Sequence, residues 1–229
     1  MPLPEILLID KPAGMTSFDV IRALRKQTGC RKFGHAGTLD PAATGLLIIG
    51  VGPGTKQLTT LSKLDKEYEA TIFLGVATTT SDRDGEVLRK IPVAISDVDT
   101  TKLAAIVINL VGEQILPVSA YSAIKKDGLP MYKRAYAAAK REEVVTDVPT
   151  RTMRVYRAEL LTVYPQTFQN QTGIALQVRF SVASGTYIRS LAEEIGRQLG
   201  VPAMLLALRR TKVGEYGLNE AQQLADITQ

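Results

Sequence analysis

The chain has 229 residues with 28 basic and 23 acidic side chains, and 45% of its residues are hydrophobic. This composition excludes an intrinsically disordered protein, and the length suits one large domain or two small ones. A single cysteine, Cys30, excludes an intrachain disulfide framework, and a single histidine, His35, excludes metal sites built on several histidines. No run approaches 18 apolar residues and residues 1–10 do not resemble a signal peptide, so we expect a cytoplasmic protein.

The first quarter of the chain predicts two strands, a helix and a loop. Residues 5–10 predict a buried strand, and a capping box from Thr16 to Asp19 begins a helix that ends at Gly29. Residues 30–43 are polar and rich in glycine, which predicts a loop, and the apolar residues 44–51 predict a central strand.

The rest of the chain predicts strands and helices that do not alternate. Because several strands follow one another without a helix between them, we predict an α+β fold with a mixed, largely antiparallel sheet flanked by helices and loops. The predicted strands cover residues 68–74, 85–88, 150–163, 174–182 and 204–213, and the predicted helices cover residues 100–110, 131–141 and 185–196.

The net charge of +5 is unevenly distributed along the chain. Residues 1–64 carry a net charge of +4, residues 121–157 carry +5 and residues 197–216 carry +3, whereas residues 65–120 carry −4. If the three basic segments meet on one face, that face binds a polyanion through phosphate contacts. Solvated lysines scattered over the surface explain the same composition equally well.

Residues 50–56, GVGPGTK, look like a phosphate-binding loop but depart from the pattern. The P-loop has no residue between its glycine and its lysine, and here Thr55 intervenes. Pro53 has no N–H to offer a phosphate. A turn followed by the start of a helix is therefore the favoured interpretation, and nucleotide triphosphate binding is disfavoured.

Asp40 lies in the most informative stretch, GHAGTLDPAATG at residues 34–45. Because a proline follows it, its backbone is extended rather than helical, and the glycines permit tight turns and close approach of a ligand. The loop then enters an apolar strand, which anchors the carboxylate on the core. An Asp-Pro pair is also common in turns, but a turn alone does not explain His35, Thr38 and Thr44 in the same stretch.

Five blocks in order resemble the TruB family of tRNA pseudouridine synthases, from about residue 6 to about residue 225. The Asp40 block resembles the catalytic motif of that family. We therefore expect residues 1–229 to form a single catalytic domain with the pseudouridine synthase fold, without the PUA-like RNA-binding module that usually follows in bacteria. The blocks are residues 37–47 (GTLDPAATGLL), 11–17 (KPAGMTS), 66–70 (KEYEA), 184–190 (SGTYIRS) and 208–214 (LRRTKVG).

The resemblance implies conversion of the uridine at position 55 of tRNA, in the TΨC arm, to pseudouridine. The N-glycosidic bond breaks, the uracil turns over, and a C–C bond forms at C5 without a metal or an organic cofactor. The implied partner is the T-arm stem-loop of tRNA, and we expect a monomer that binds no membrane.

The resemblance also implies the roles of eight residues. Asp40 is the catalytic aspartate, with attack on the sugar, attack on the base and removal of a ribose proton all left open. Arg189 pairs with Asp40 and keeps its carboxylate ionised. Tyr68 stacks on the flipped uracil near C5, Tyr187 lines the same pocket, Leu208 forms an apolar wall, Lys11 and Pro12 support the loop, and His35 inserts into the T-loop.

These residue types suit the reaction. A uridine in a folded loop must be extruded at a cost of a few kcal/mol, which stacking on an aromatic ring offsets. A non-catalytic RNA-binding module is the alternative, and it needs a basic face but not Asp40, Tyr68 and Arg189 together. A nucleotidyl enzyme would need the phosphate loop. Candidate phosphate-binding residues are Lys125, Lys133, Arg141, Arg151 and Arg154.

Overall fold

The computed structural model describes residues 3–122, 124–141, 143, 145 and 147–227, and it contains two compact units. The first unit comprises Met1–Glu69, Ser181–Gly185 and Leu208–Gln229, and the second comprises Ala70–Phe180 and Thr186–Ala207. Our expectation of a single domain over residues 1–229, with no further module, stays a prediction.

Five α-helices and fourteen β-strands lie within the described part of the chain. The helices are α1 (Ser17–Thr28), α2 (Leu58–Leu61), α3 (Thr100–Asn109), α4 (Met131–Ala139) and α5 (Ile188–Leu199). The strands are β1 (Ile6–Lys11), β2 (Phe33–Ala36), β3 (Thr44–Val51), β4 (Lys66–Leu74), β5 (Val76–Thr78), β6 (Val87–Lys90), β7 (Gly112–Pro117), β8 (Lys125–Lys126), β9 (Leu129–Pro130), β10 (Thr150–Phe168), β11 (Gln171–Val182), β12 (Ala203–Val213), β13 (Tyr216–Gly217) and β14 (Gln222–Gln223).

Helix α1 is determined by signals at both of its ends. The Thr16 hydroxyl accepts a hydrogen bond from the backbone N–H of Asp19, whose carboxylate accepts one from the N–H of Thr16. This capping box satisfies two free donors of the first turn. Gly29 ends the helix in the left-handed region at φ +68°, and its N–H donates to the carbonyl oxygen of Arg25.

The first unit, which includes β12 from Leu208 onward, has a mixed sheet in the strand order β14-β1-β3-β12. Strand β1 is antiparallel to β3 and parallel to β14, while β12 is parallel to β3. Strand β2 pairs antiparallel with β3, and β13 pairs antiparallel with β12. Alternate residues of β1 and β3 pack on α1 through Val20, Ile21 and Leu24, and each such buried aliphatic side chain stabilises the fold by about 1.5–3 kcal/mol.

Strand β4 belongs to the second unit from Ala70 onward, and the strand order there is β4-β11-β10-β7. A two-residue turn joins β10 to β11, and both of its residues, Gln169 and Asn170, have positive φ, as a type I′ turn requires. Strand β7 is antiparallel to β10. Two small hairpins, β5 with β6 and β8 with β9, complete the strands of this unit.

The α+β class and the mixed, largely antiparallel sheet are confirmed. The expected strand over residues 44–51, the helix capped by Thr16 and Gly29, and the two long strands before and after Gln169 are all present. Most of the glycine-rich segment 50–56 lies in a 3-10 helix, Gly52–Gln57. This agrees with the prediction of a turn followed by the start of a helix. No helix in the described ranges is both long and apolar enough to cross a membrane.

Three secondary-structure predictions were wrong or incomplete. Residues 30–43 are not entirely a loop, because β2 pairs with β3 and its residues satisfy their backbone hydrogen bonds there. Helix α5 begins at Ile188 rather than at Gly185, since Tyr187 has an extended backbone. Strand β7 was not predicted, because its exposed residues alternate with half-buried ones and the segment lacks an apolar run.

Candidate active site

Hydrogen bonds to its neighbours hold the backbone on both sides of Asp40. The Ser17 hydroxyl accepts a hydrogen bond from the N–H of Leu39 at 2.9 Å. The Lys11 ammonium donates to the carbonyl oxygen of Pro41 at 3.2 Å. The carbonyl oxygen of Asp40 accepts from the N–H of Ala43 at 3.1 Å. These bonds limit the directions that the half-buried Asp40 side chain can take.

Lys11 is fully buried, and its ammonium group donates three hydrogen bonds to carbonyl oxygens. The acceptors are Pro12 at 2.9 Å, Met15 at 2.6 Å and Pro41 at 3.2 Å. Burial lowers the pKa of Lys11 to about 8, while the nearby charge of Asp40 raises it. One cation therefore joins the end of β1, the entry to α1 and the Asp40 loop. Pro12 supplies a carbonyl oxygen to this arrangement although its ring is exposed.

A second buried cation, Arg210, joins the two ends of the Asp40 loop. Its Nε donates to the carbonyl oxygen of Leu46 at 2.7 Å, and its Nη2 donates to that of Gly37 at 3.2 Å. Gly45 lies at φ +101°, and a Cβ there would lie 2.3 Å from the carbonyl oxygen of Arg210. Only glycine permits β12 to approach this closely. Sequence reasoning missed Arg210, although it lies two residues after Leu208.

Tyr68 lies on β4 with its side chain buried. Lys66, two residues earlier, is also buried and donates to the carbonyl oxygens of Ser62 at 2.6 Å and Leu64 at 2.5 Å. It donates to the Ser184 hydroxyl at 3.1 Å, which in turn donates to the Ser62 carbonyl oxygen. Burial lowers the pKa of Lys66 to about 8. The start of the residue 184–190 block is thereby fixed to the strand that carries Tyr68.

His35 lies on β2, opposite Ile49 of β3, with its side chain half-buried. Its Nδ1 atom is buried and has no hydrogen-bond partner. Burial, and then the charge of Arg210, lowers the pKa of His35 below its ordinary value. The lowered pKa favours the neutral form of the imidazole.

Leu208 lies half-buried on β12, beside an ion pair between β12 and β1. Its carbonyl oxygen accepts a hydrogen bond from the Thr44 hydroxyl at 3.4 Å. The next residue, Arg209, binds both carboxylate oxygens of Asp10, at 2.7 and 3.2 Å. This bidentate pair fixes the register of the strands around Leu208.

In the second unit, Arg189 is buried on the first turn of α5 and has an acidic partner that the sequence did not reveal. Its Nη1 lies 3.6 Å from the Asp82 carboxylate and donates to the Thr80 carbonyl oxygen at 2.9 Å and to the Ser119 hydroxyl at 3.4 Å. Tyr187, the N-cap residue of α5, is half-buried, and its N–H points to the sulfur of Met153 at 3.4 Å.

The predicted site residues thus divide between the units. Asp40, Lys11 and four others belong to the first unit, whereas Tyr187 and Arg189 belong to the second. Contacts within the first unit support the grouping of Lys11 and Pro12 with the Asp40 loop. The pairing of Arg189 with Asp40 stays a prediction. The four other predicted site residues that belong to the first unit are Pro12, His35, Tyr68 and Leu208.

The five basic residues proposed for phosphate binding are all exposed in the second unit. Arg141 forms an ion pair with Glu143 at 3.1 Å, and Arg154 forms one with Glu113 at 3.1 Å. The other three, Lys125, Lys133 and Arg151, lie on β8, α4 and β10. No cluster of three or more metal-ligating side chains of His, Cys, Asp or Glu occurs in the described portion of the protein.

Two family models together match most of the chain. Residues 25–188 match the N-terminal domain of the TruB family pseudouridylate synthases, and residues 189–229 match the C-terminal domain of tRNA pseudouridylate synthase B. The tRNA pseudouridine synthase B of Leifsonia xyli subsp. xyli is 46% identical over 223 residues, which cover 97% of this chain and 71% of the relative. That of Corynebacterium efficiens is 44% identical over 224 residues, with 97% and 71% covered.

Solved structures show the same fold. The chain is similar to one in a Cbf5-Nop10-Gar1 complex, with a TM-score of 0.69 and 27% identity over 96% of this chain. It is also similar to one in an H/ACA RNP bound to a substrate RNA containing 2′-deoxyuridine, with a TM-score of 0.67 and 27% identity over 96% of this chain. The chain spans about half the length of these two solved proteins, 52% and 51% respectively.

Proposed function

Because this chain belongs to the TruB family of pseudouridylate synthases, we propose that its substrate is tRNA and that it isomerises the uridine at position 55 of the T arm. The relatives that carry the name tRNA pseudouridine synthase B support tRNA as the substrate class. The mildly basic composition, with a net charge of +5, suits a polyanionic partner. For an enzyme that acts on tRNA we expect a cytoplasmic location.

The proposed reaction breaks one bond, forms one bond and leaves the composition of the nucleotide unchanged. The N1–C1′ bond breaks, the uracil rotates, and C5 bonds to C1′. The proton on C5 then leaves, and N1 takes up a proton. Since atoms and electrons balance within the nucleotide, the protein must supply only extrusion of the base, one carboxylate and a route for a proton.

The observation that carries this proposal is the fixed loop around Asp40. Lys11 holds the residue after Asp40, and Ser17 holds the residue before it. A carboxylate that acts on C1′ or C5 must be held to within a fraction of an ångström of the reacting atom. We assign the catalytic role to Asp40 on this ground. Attack on the sugar, attack on the base and removal of a ribose proton all use the carboxylate in its ionised form.

His35 and Tyr68 take the supporting roles in this proposal. We assign the half-buried, neutral imidazole of His35 to the space beside the extruded nucleotide. Tyr68 offers an aromatic face to the uracil, and Leu208 offers an apolar wall. Stacking of a base on an aromatic ring is worth about 1–3 kcal/mol, which matches the cost of extrusion.

Tritium release from tRNA labelled at C5 of uridine tests the role of Asp40. Because D40N keeps the shape of the side chain and removes its charge, we expect release to fall by at least about 10³-fold while tRNA binding stays within a few-fold. The matched control is D226N, which changes an exposed aspartate far along the chain and should retain wild-type release. Turnover by D40N at a tenth of the wild-type rate or more would remove Asp40 from this role.

The nucleotide position is tested separately with two RNAs. A T-arm stem-loop with the uridine at position 55 should be a substrate, and the same stem-loop with cytidine at that position should yield no pseudouridine. Nucleoside analysis by mass spectrometry and primer extension locates the product. Modification of a uridine elsewhere, with position 55 unchanged, would retain the reaction but contradict the assigned position.

A further inference from the structure

The exposed face of α1 carries an aromatic ring between two arginines. Phe18, Arg22 and Arg25 are spaced by four and three residues and therefore lie on one side of the helix. Phe18 is 52% exposed. The guanidinium carbons of Arg22 and Arg25 lie 5.8 and 5.7 Å from the centre of its ring, within the range of a cation–π interaction.

The basic character continues along and beyond the helix. Lys26 is exposed on the same side, and Arg31 and Lys32 are exposed just after the helix ends. Asp19 is the only acidic residue in the sequence from 17 to 32, and its carboxylate is occupied by the capping box and by Arg22. We call Phe18, Arg22, Arg25, Lys26, Arg31 and Lys32 the α1 stripe.

Both ends of the α1 stripe adjoin segments of the candidate active site. Phe18 follows Ser17, whose hydroxyl binds the backbone of Leu39 next to Asp40. Lys32 precedes β2, which carries His35. The α1 stripe is therefore connected at both ends to segments that carry candidate site residues.

We propose that the α1 stripe binds the sugar–phosphate backbone of the substrate RNA next to the extruded nucleotide. This inference rests on the proposed function, since it requires an RNA at Asp40. Guanidinium groups bind phosphate oxygens in a bidentate manner, and each such contact releases counterions. Phe18 orders two of these long side chains in advance, which reduces the entropy lost when they bind.

A purely structural role accounts for only part of this arrangement. Cations in the last turn stabilise a helix through its dipole, which explains Arg25 and Lys26. The dipole does not explain an exposed phenylalanine in the first turn, and it does not explain Arg31 and Lys32 after the helix has ended. A phosphate-binding surface explains all of them together.

The first test compares two double variants that each remove two positive charges. R22Q/R25Q changes the α1 stripe, and R89Q/K102Q changes exposed cations of the second unit. We expect R22Q/R25Q to weaken tRNA binding by roughly tenfold at about 0.15 M salt and to reduce the slope of log K against log salt by about 1–2. In turnover assays the loss should lie in KM rather than in kcat. The control should match the wild type.

Phe18 supplies a second test that leaves the charge unchanged. F18Y keeps an aromatic ring under the guanidinium groups, so binding should stay within about twofold. F18L removes the ring but keeps an apolar side chain of similar size, so binding should weaken by roughly two- to fivefold. Circular dichroism and thermal unfolding verify that α1 persists in both variants.

The outcomes separate this inference from the proposed function. If wild-type protein forms pseudouridine but R22Q/R25Q binds tRNA as R89Q/K102Q does, the α1 stripe is ordinary solvated surface and the inference fails alone. If wild-type protein forms no pseudouridine, yet R22Q/R25Q still loses tRNA affinity and salt slope, the proposed function fails and the RNA-binding surface stands. An equal loss of affinity for polyglutamate and for tRNA would overturn the assignment to RNA.

Discussion

The Lys11 ammonium donates a hydrogen bond to the carbonyl oxygen of Pro41, the residue that follows Asp40, at 3.2 Å. Lys11 is fully buried, so this cation exchanges its hydration for three backbone carbonyl oxygens. A buried charge is tolerated only when its donors are satisfied. The ammonium group is therefore committed to holding the backbone, and the Asp40 loop depends on its protonation.

Replacement of Lys11 by methionine tests this dependence. K11M keeps most of the side-chain volume and leaves three carbonyl oxygens without their donor. We expect the free energy of unfolding to fall by about 2 kcal/mol and kcat to fall by roughly tenfold or more, with a smaller change in KM. Chemical denaturation and tritium release measure the two effects. A variant with wild-type kcat would show that the Asp40 loop is held adequately without Lys11.

Activity should decline as the pH rises through about 8. Lys11 has a pKa of about 8 in the folded protein, so it is protonated below that pH and loses its positive charge above it. Lys66 has a similar pKa and holds Ser184 in the same way. We therefore expect kcat to be level up to about pH 7 and to fall between about pH 7.5 and 9.

The variant K66R distinguishes the contribution of Lys66 to the pH dependence of kcat from that of Lys11. A guanidinium group stays protonated throughout this range, so K66R removes the contribution of Lys66. An unchanged decline in K66R assigns the pH dependence to Lys11. A flat profile of wild-type kcat from pH 7 to 9 would contradict the predicted role of both ammonium groups.

Glu193 anchors the segment that supplies the partner of Arg189. The Ser81 hydroxyl donates to the Glu193 carboxylate at 2.7 Å, and Ser81 lies in the left-handed region at φ +62°. Asp82, the next residue, lies 3.6 Å from the guanidinium of Arg189. Burial raises the pKa of Glu193 above its ordinary value, although Ser81 and Arg189 each lower it in part.

The raised pKa of Glu193 predicts how stability changes with pH. Folding favours the protonated carboxyl, so its contribution to stability is present below the unfolded pKa of about 4.5 and is lost as pH rises through the folded pKa. E193Q stays neutral and keeps an acceptor for Ser81. We expect E193Q to gain stability relative to wild type as pH rises above 4.5, by a small amount because Glu193 is exposed and solvent screens its charge.

Urea unfolding of both proteins at several values between pH 4.5 and 7.5 measures this difference. E193A serves as the control, because it removes the acceptor and leaves the Ser81 hydroxyl unpaired, and it should be less stable than E193Q at every pH. If E193Q loses stability relative to wild type as pH rises, the attraction between Glu193 and Arg189 outweighs the burial of the charge.

The sequence predicts local elements here better than it predicts long-range partners. The capping box at Thr16 and the end of the helix at Gly29 depend on residues within one or two helical turns, and both were predicted. Strand β2 was missed because it has only four residues, FGHA, with a glycine among them, and it becomes a strand only by pairing with β3. The same applies to β7, whose pairing with β10 overrides a weak local preference.

The candidate site shows the same contrast between local signals, which the sequence reveals, and long-range partners, which it does not. Asp40 was identified from one contiguous block, since Asp-Pro between glycines is a local signal. The partners that hold it, Ser17 and Lys11, are 22 and 30 residues from the atoms they bind. Arg210 and Asp82 were not predicted, because only the folded chain brings them to Gly37 and Arg189, at sequence separations of 173 and 107 residues.

Substitutions of Tyr68 distinguish its contribution to RNA binding from its contribution to the chemical step. Its side chain is buried on β4, and the proposed function assigns its ring to the extruded uracil. We further propose that its hydroxyl takes part in proton transfer at C5. Phenylalanine keeps the aromatic face, so stacking worth about 1–3 kcal/mol should remain in Y68F. It lacks the hydroxyl, which proton transfer at C5 requires directly or through a water molecule.

We expect Y68F to bind a T-arm stem-loop with near-normal affinity and to release tritium from C5 at least about 10²-fold more slowly than wild type. Y68L should bind poorly as well, since it removes the ring, and Y216F is the matched control because it removes a half-buried hydroxyl from β13. Equilibrium binding and single-turnover tritium release measure the two effects independently.

If Y68F turns over at the wild-type rate while Y68L binds poorly, Tyr68 is a stacking surface and another group accepts the proton. If neither variant differs from Y216F, the assignment of Tyr68 to the substrate is wrong.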